Sequence, residues 1–212
     1  MSILVLGDIH LGLSSGPGID WALNALSNAH LHGARGFICA GDAIDRARYT
    51  DNTFVELNTF FRTAVDLFGP VHFVQGNHDV HHDLDLPSEV TIHSTDAHSF
   101  EYHGICVHTA SVLSDPDPRE VIQDFQRATD SALPRLGVLH TSLTGEYSNK
   151  PCLPASLDEL LELNLDAWVL AHVHRPIELH ADPFIGWVGM GNALVVSPDN
   201  DGGLTVTRVE NF

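Results

Sequence analysis

The feature that most constrains this chain is a repeated arrangement in which a short, mostly apolar run is followed at once by metal-ligand residue types. The densest example is Gly76-Asn77-His78-Asp79, which follows the run 71–74. Apolar runs of this length are typical of strands that are buried on both faces. Because ligands of open α/β sheets bind beyond the carboxyl ends of strands, we expect a functional site here.

The same arrangement recurs at four other places, where an apolar run ends in an aspartate or a histidine. The runs and the residues that follow them are 3–6 with Asp8 and His10, 36–40 with Asp42, 136–139 with His140, and 167–170 with His172 and His174. Amphipathic segments at 20–33 and 51–68 predict two helices between the first three strands, with Asp20 as the N-cap of the first. Right-handed crossovers would place these strand ends on one rim.

Asp8 and Asp42 are the first acidic residues after two strands that we expect to be adjacent and parallel. Two carboxylates that meet at one point repel each other unless cations lie between them. Asp8 and His10 are two residues apart, so both face one side of the chain if the backbone is extended. His172 and His174 repeat this spacing. The pattern therefore predicts a pair of metal ions rather than a single ion.

The remaining elements are predicted from shorter patterns. Further β-type runs lie at 90–92, 99–102, 105–109, 185–188, 193–196 and 204–206. The first three of these indicate a change to antiparallel strands, and an apolar periodicity at 121–128 indicates a helix. Ser156 and Glu159 form a capping box, which predicts the start of another helix.

The composition excludes several classes of protein. The 212 residues include 28 acidic and 10 basic side chains, a formal net charge of -18, with no basic stripe of the kind that binds nucleic acid in general. Three cysteines without CxxC spacing, in a chain without a leader-like start, predict a cytoplasmic location. No apolar run approaches the roughly 20 residues that are needed to cross a membrane.

Histidine is frequent, at 15 residues, but only some of these residues follow apolar runs. We interpret the larger group as surface or structural residues. His93, His98, His103 and His108 belong to this group because they have no consistent place in the ligand pattern.

The ordered set of motifs resembles the calcineurin-like metallophosphoesterase superfamily. The motifs that carry the resemblance are Asp8-x-His10, Gly41-Asp42, Gly76-Asn77-His78-Asp79, His140 and His172-x-His174. The resemblance implies an α/β fold, a four-layer αββα sandwich with two mixed β-sheets. It also implies two divalent metal ions, with manganese expected and iron or zinc as alternatives.

By that resemblance, the candidate ligands divide into two groups with one shared residue. The first ion would be held by Asp8, His10 and His174, the second by Asn77, His140 and His172, and both by Asp42. His78 would not bind metal. It would protonate the leaving oxygen or stabilise charge in the transition state.

The stretch Gly41-Asp42-x-x-Asp45-Arg46 is similar to the phosphatase signature of the same superfamily. There the second aspartate orients the catalytic histidine, and the arginine reaches the phosphate. The resemblance therefore implies that Asp45 pairs with His78 and that Arg46 lies near the substrate. From the residues alone, Asp45 and Arg46 are equally compatible with a surface ion pair.

Within the superfamily, the motifs are most similar to those of the SbcD-type DNA-repair exonucleases. Asp8-Ile9-His10-Leu11-Gly12 and the stretches 156–160 and 168–174 carry this similarity, although Ala171 stands where that group usually has glycine. We expect residues 1–212 to form a single metallophosphoesterase domain without the capping domain that those nucleases use for DNA. Together with the acidic charge, this disfavours duplex DNA as a substrate.

The resemblance favours a hydrolase that attacks a phosphoester with a metal-bound hydroxide, and most of all a phosphodiesterase or nuclease-like enzyme. A phosphomonoesterase, including a Ser/Thr protein phosphatase, is the alternative. A metal-binding scaffold without turnover, as in some retromer-type relatives, is disfavoured because every ligand type and His78 are present. The expected partner is a phosphoester substrate: a nucleotide, a nucleic acid or a phosphorylated small molecule. No membrane is expected as a partner, and the sequence names no protein partner.

Overall fold

Two β-sheets pack face to face in this chain, and helices cover their outer sides. The computed structural model describes residues 1–125, 133–148 and 150–209. In chain order the elements are β1 (Ser2–Leu6), α1 (Gly18–Leu31), β2 (Ala34–Cys39), α2 (Asp51–Phe68), β3 (Val71–Phe73), β4 (Val90–Ile92), β5 (His98–Tyr102), β6 (Ile105–Ala110), β7 (Arg135–His140), α3 (Leu157–Glu162), β8 (Ala167–Ala171), β9 (Glu178–Ala181), β10 (Phe184–Trp187), β11 (Ala193–Pro198) and β12 (Leu204–Val209).

Each sheet contains both parallel and antiparallel neighbours. The first sheet has the strand order β12-β11-β1-β2-β3-β4, and the second has the order β5-β6-β7-β8-β10-β9. β1, β2 and β3 are parallel neighbours, because α1 and α2 form the crossovers between them. β11 is antiparallel to β1, and β5 and β9 are antiparallel edge strands of the second sheet. The prediction of two mixed sheets is confirmed.

Three apolar clusters fill the spaces between the layers. Leu26 of α1 packs with Leu4 on the outer face of the first sheet. Val5 and Val138 belong to the cluster between the two sheets. Trp168 packs beneath α3 on the outer face of the second sheet. Because side chains alternate across a strand, a strand between two packed layers is apolar at nearly every position. The layers form the predicted αββα sandwich.

The helix starts differ in how their backbone N–H groups are satisfied. Ser156 and Glu159 form the predicted capping box at α3. Thr50 caps α2 and shares a capping box with Thr53. The N-cap prediction for Asp20 is wrong: α1 begins at Gly18 after Pro17, and Asp20 lies in the first turn, where its charge favours the helix dipole. None of the helices in the described ranges combines the length and the apolar content needed to cross a membrane.

Two other predictions need correction, and one strand was not predicted. β4 pairs in parallel with β3 at the edge of the first sheet, so the antiparallel arrangement begins only with β5 and β6. The described part of the helix expected at 121–128 is a 3-10 helix, Val121–Asp124, and Ala128 lies outside the described residues. β9 was not predicted, because its half-buried edge position leaves little apolar alternation.

Candidate metal centre

The predicted ligands lie together at one edge of the sandwich, where strands of both sheets end. β1, β2 and β3 of the first sheet and β7 and β8 of the second deliver them from their carboxyl ends. Asp8, Asp42 and His140 are almost fully buried there, whereas His174 is exposed. Residues that are far apart in the sequence therefore share one site.

The first group of donor atoms comes from Asp8, His10 and His174. Their ligand atoms lie within 4.8 Å of one another, and the Nε2 atoms of His10 and His174 are 3.0 Å apart. The backbone N–H of His172 donates to the Asp8 carboxylate at 3.0 Å, which ties the end of β8 to the end of β1. A carboxylate oxygen and two imidazole nitrogens that face one another suit a first-row divalent ion.

The second group of donor atoms comes from Asn77, His140 and His172. Asn77 Oδ1 is 3.1 Å from His140 Nε2 and 2.9 Å from His172 Nδ1, and these two nitrogens are 3.3 Å apart. His140 Nδ1–H donates to the carbonyl oxygen of Ala40 at 3.0 Å, because a carbonyl oxygen only accepts. In neutral His140 the lone pair of Nε2 therefore points into the group.

One oxygen of Asp42 faces both groups. Its Oδ2 atom is 3.6 Å from His10 Nε2 and 3.3 Å from His140 Nε2. Its Oδ1 atom accepts the backbone N–H of His78 at 2.8 Å, which fixes the orientation of the carboxylate. Asp42 Oδ2 thus lies close to nitrogen donors of both groups.

This donor chemistry fits a pair of divalent cations. The facing atoms in both groups are imidazole nitrogens and carboxylate or amide oxygens, which carry lone pairs. Such atoms repel one another unless a proton or a cation lies between them. Nitrogen and oxygen donors without a participating thiolate are compatible with manganese, iron or zinc.

Burial and mutual charge shift the pKa values of these groups. Burial raises the pKa of Asp8 to about 7, with the charge of Asp42 adding to the effect and His140 opposing it. Burial by itself would raise the pKa of Asp42, but the adjacent His140 brings that pKa well below its usual range. Burial opposes a charge on His140, yet Asp42 raises the pKa of His140 to about 9. The buried carboxylates thus favour added positive charge, which a bound cation supplies.

Four of the candidate ligands adopt the left-handed backbone region. The φ angles are 53° at Asp8, 49° at His10, 52° at Asp42 and 96° at His172. The prediction that Asp8 and His10 share a side because the backbone is extended is therefore wrong, although both residues reach the same group. Non-glycine residues with positive φ are costly and concentrate at functional sites, where the surrounding structure holds them.

Asp79 holds the two central loops together, a role that the sequence analysis missed. Its Oδ2 accepts the backbone N–H groups of Asp42 at 2.7 Å and Gly76 at 2.8 Å, and its Oδ1 accepts the N–H of Ala43 at 3.0 Å. Burial raises the pKa of Asp79 to about 7, with the charge of Asp42 adding to it. The signal was present, since Asp79 is the fourth residue of the densest motif.

Glycines allow these loops to approach one another closely, because they carry no side chain. A Cβ atom at Gly41 would collide with the ring of His140, and one at Gly76 would collide with the carboxylate of Asp42. A Cβ atom at Gly7 would lie 2.8 Å from the Cβ of Ala171. The methyl group of Ala171, at the position where the SbcD-type group usually has glycine, is therefore accommodated by the absence of a side chain at Gly7.

The structure places His78, Asp45 and Arg46 beside the donor groups. The backbone N–H of Arg46 donates to His78 Nδ1 at 3.2 Å, so neutral His78 carries its proton on Nε2. Asp45 Oδ2 is 3.9 Å from His78 Nδ1 and 3.8 Å from His10 Nδ1. Arg46 Nη1 forms an ion pair with Asp115 at 2.7 Å.

Two residues near the ligands were not predicted because they follow no strand-end pattern. The hydroxyl of Ser148 is 2.9 Å from Nε2 of His172, on the side of the ring opposite the donor group. Cys152 lies within ligand distance of His140 and His172. Burial raises the pKa of the Cys152 thiol well above its usual range, and the thiol donates to the carbonyl oxygen of His140 at 3.3 Å. Cys152 therefore lies beside the second donor group as a thiol that donates a hydrogen bond.

A cleft of about 260 Å³ opens beside the second donor group. Its lining includes Arg46, Asn77, His78, Asp115, Lys150 and His172. A neighbouring groove of about 480 Å³ shares Ser148, Lys150 and Pro151 with it. The candidate ligands are therefore reachable from a surface that is large enough for a small organic molecule.

The family profile described as calcineurin-like phosphoesterase matches residues 1–176. The chain belongs to this family. It is 24% identical over 192 residues to an uncharacterized metallophosphoesterase, YhaO, from Bacillus subtilis (strain 168). That match covers 82% of this chain and 45% of the relative, so the chain spans less than half the length of this curated relative.

Solved structures share the fold. The protein TT1561 of Thermus thermophilus is 14% identical, with 99% of each chain covered and a TM-score of 0.59. A dimetal phosphatase from Danio rerio is 9% identical, with 92% of each chain covered and a TM-score of 0.59. At these identities the likeness concerns the fold alone. The narrower resemblance to SbcD-type exonucleases stays a prediction.

Proposed function

We propose that this chain is a metal-dependent phosphoester hydrolase, and specifically a phosphodiesterase or nuclease-like enzyme that uses two divalent ions. The observation that carries the proposal is the position of Asp42 Oδ2, within 3.6 Å of His10 Nε2 and 3.3 Å of His140 Nε2. Membership of the calcineurin-like phosphoesterase family supports it. The single-domain organisation of residues 1–212 is part of the same proposal.

The candidate ligands would hold the two ions in the groups described above. Asp8, His10 and His174 would hold one ion, Asn77, His140 and His172 the other, and Asp42 both. When bound, the two ions supply positive charge for the phosphate oxygens and lower the pKa of a water for in-line attack. We propose manganese as the native metal on the resemblance given above, and the nitrogen and oxygen donors are compatible with it as they are with iron or zinc.

His78 is the proposed proton donor to the leaving oxygen. It lines the cleft, and 25% of its side chain is exposed. General acid catalysis of alcohol departure requires the imidazolium form of His78. In that form Nδ1–H would pair with the Asp45 carboxylate, 3.9 Å away, in place of the Arg46 N–H at 3.2 Å, and Nε2–H would be given to the leaving oxygen. Asp45 lies 3.9 Å from His78 and 3.8 Å from His10. We propose that this carboxylate orients both rings and that Arg46 contacts the phosphate.

The shape of the surface favours a diester over a monoester. A phosphodiester carries two organic groups, and both need space beside the phosphate. The cleft of about 260 Å³ and the adjoining groove of about 480 Å³ share part of their walls, so a second organic group has a place to lie. A monoester would leave that groove unused.

The test compares bis-p-nitrophenyl phosphate with p-nitrophenyl phosphate in the presence of manganese. We expect the diester to give the higher kcat/KM. In the His78→Gln variant, turnover should fall roughly 10²–10⁴-fold, while elemental analysis finds the metal content unchanged. The control His32→Gln changes an exposed histidine after α1 and should keep wild-type turnover.

Three outcomes would contradict the proposal. A higher kcat/KM for the monoester would indicate a phosphomonoesterase. Bound metal without hydrolysis of either ester would indicate a scaffold. Wild-type turnover in His78→Gln would remove His78 from the mechanism.

A further inference from the structure

Lys150 is the only lysine in the 212 residues, and it lines the cleft beside the candidate metal centre. Arg46 lines the same cleft, so two of the ten basic side chains of a strongly acidic chain meet there. Lys150 lies in none of the strand-end motifs.

One buried carboxylate holds both cations. Asp115 Oδ2 is 2.7 Å from Arg46 Nη1 and 3.5 Å from Lys150 Nζ, and only 6% of the Asp115 side chain is exposed. The three residues come from different segments: Arg46 follows β2, Asp115 follows β6, and Lys150 lies between β7 and α3. Asp115 therefore ties loops of both sheets together at the cleft.

The charges in this group do not cancel. One carboxylate neutralises one of the two cations, which leaves a net positive charge in a chain whose formal net charge is -18. The Lys150 side chain is 61% exposed and its contact is the longer one. An exposed ion pair of this kind adds little to folding stability. Lys150 is thus held loosely enough to turn from Asp115 to an incoming anion.

We propose that Lys150 binds a second anionic group of the substrate, close to the scissile phosphate, and that Asp115 is the positioning residue for Lys150 and Arg46. The inference rests on the proposed function. The two metal ions offset the charge of the scissile phosphate, so the surplus charge at Lys150 matches an additional phosphate or carboxylate. The substrate class is therefore a phosphodiester with a neighbouring anionic group, rather than an isolated diester.

A matched pair of substrates tests this assignment. One is the p-nitrophenyl ester of thymidine 5′-phosphate, and the other is the same ester with a 3′-phosphate. We expect kcat/KM of the manganese-loaded protein to be about two- to fivefold higher for the 3′-phosphorylated ester, as one exposed charge contact provides. In Lys150→Gln the ratio should fall to about one, mainly through KM. Lys150→Arg should recover part of it.

Further variants separate a local effect from a general one. Arg62→Gln removes one positive charge from an exposed position on α2 and should keep the wild-type ratio. Asp115→Asn should raise KM for both esters, because both cations lose their common anchor. Raising the salt concentration should reduce the ratio in the wild type but not in Lys150→Gln, since salt screens an exposed charge contact.

Binding of thymidine 3′,5′-bisphosphate and thymidine 5′-phosphate, measured by calorimetry with manganese, does not depend on turnover. If the protein binds the bisphosphate more tightly than the monophosphate, and Lys150→Gln loses this preference, the anion site is supported. If the same protein hydrolyses neither ester, the proposed function is overturned. Hydrolysis of both esters with equal kcat/KM overturns the anion site and leaves the proposed function standing. An equal loss for both esters in Lys150→Gln also overturns the assignment, because Lys150 would then act on the whole site.

Discussion

Two histidine clusters of this protein differ in what the ring nitrogens face. In one they face carboxylates and other donor atoms, and in the other they face hydrogen-bond partners. The first is the candidate metal centre. The second, which we call the histidine stack, consists of His72, His93 and His98, and it joins the edge strands of the two sheets. His72 lies on β3, His93 follows β4, and His98 begins β5. The rings of His72 and His93 both lie 4.3 Å from that of Phe100.

Hydrogen bonds satisfy the nitrogens that face one another in the histidine stack. His98 Nδ1–H donates to the carbonyl oxygen of Asp96 at 2.8 Å, so His98 Nε2 accepts from His93 Nδ1–H at 2.8 Å. His93 Nε2 then accepts from His72 Nδ1–H at 3.0 Å. In this chain of hydrogen bonds, each lone pair between neighbouring rings meets a proton, and no cation is needed.

The candidate metal centre differs because carboxylates lie among its histidines. Asp42 touches His10 and His140, and the Nε2 atoms of His10 and His174 face each other at 3.0 Å. Burial lowers the pKa of His93 to about 3, with His72 and His98 adding to the effect, whereas Asp42 raises the pKa of His140 to about 9 against burial. The comparison teaches that the carboxylates, rather than the number of histidines, distinguish a candidate cation site from a packed histidine cluster.

We expect the largest effect from removing Asp42, the carboxylate that faces both donor groups of the candidate metal centre. We expect Asp42→Ala to lose both metal ions and to lower turnover about 10⁴-fold or more, because each ion contributes several kcal/mol of transition-state stabilisation. Elemental analysis and a phosphodiester assay measure the two effects. Asp66→Ala, which removes an exposed carboxylate of α2, is the matched control. Full metal occupancy in Asp42→Ala would rule out the bridging role.

Replacing Asp79, the carboxylate that holds the loops of the candidate metal centre, should have the next largest effect. Asp79→Asn replaces an acceptor that receives the N–H groups of Asp42, Gly76 and Ala43. Its amide nitrogen would then face backbone donors, so the free energy of unfolding should fall by about 2–3 kcal/mol. Urea denaturation measures the change, and Asp66→Asn should remain within about 0.5 kcal/mol of the wild type. Unchanged stability in Asp79→Asn would show that the loops do not depend on this carboxylate.

The histidine stack should make folding stability depend on pH, with a smaller effect. The pKa of His93 is lowered to about 3 and that of His72 to about 4, in both cases first by burial. The unfolded chain therefore binds more protons than the folded one below about pH 6.5. The stabilisation is full above that pH and is lost as the pH falls toward 3 or 4, by up to about 1.4 kcal/mol per pH unit for each proton.

His93→Gln tests this dependence because glutamine cannot titrate in that range. At pH 8 the variant should be less stable by about 1–3 kcal/mol, since it loses a buried hydrogen-bond partner. Between pH 6.5 and 4 its free energy of unfolding should fall less steeply than that of the wild type. Urea denaturation at a series of pH values measures both. His32→Gln should keep the wild-type slope, and an equally steep slope in His93→Gln would assign the dependence to other groups.

Much of the fold followed from local patterns. The apolar runs at 3–6, 36–40 and 71–74 became β1, β2 and β3, because a strand between two packed layers has to be apolar throughout. Strands with weaker patterns were less predictable. β4 pairs in parallel with β3, and β9 had no clear signal. Sheet edges bury one face only in part, so the periodicity that identifies them is weak.

The residues of the candidate centre were identifiable because each follows a strand. Asp115, Ser148 and Lys150 were not, since they lie in loops whose approach to the cleft depends on how two sheets pack. His93 and His98 were interpreted as surface or structural residues, and His72 only as part of the run 71–74; the structure places all three in the histidine stack. Their hydrogen bonds join residues from different strands, so no spacing along the chain predicts them.

What the sequence determined by itself was the order of the ligand types and the strand ends that present them, because residue type and apolar periodicity are properties of neighbouring residues. Only the tertiary structure decided where the side chains of the site point. It gave Asp8 and Asp42 a left-handed backbone, turned one oxygen of Asp42 toward both donor groups, and paired Lys150 with Asp115. These depend on distances between loops of two different sheets. Such distances are set when the two sheets pack against each other, so the sequence of a single segment does not determine them.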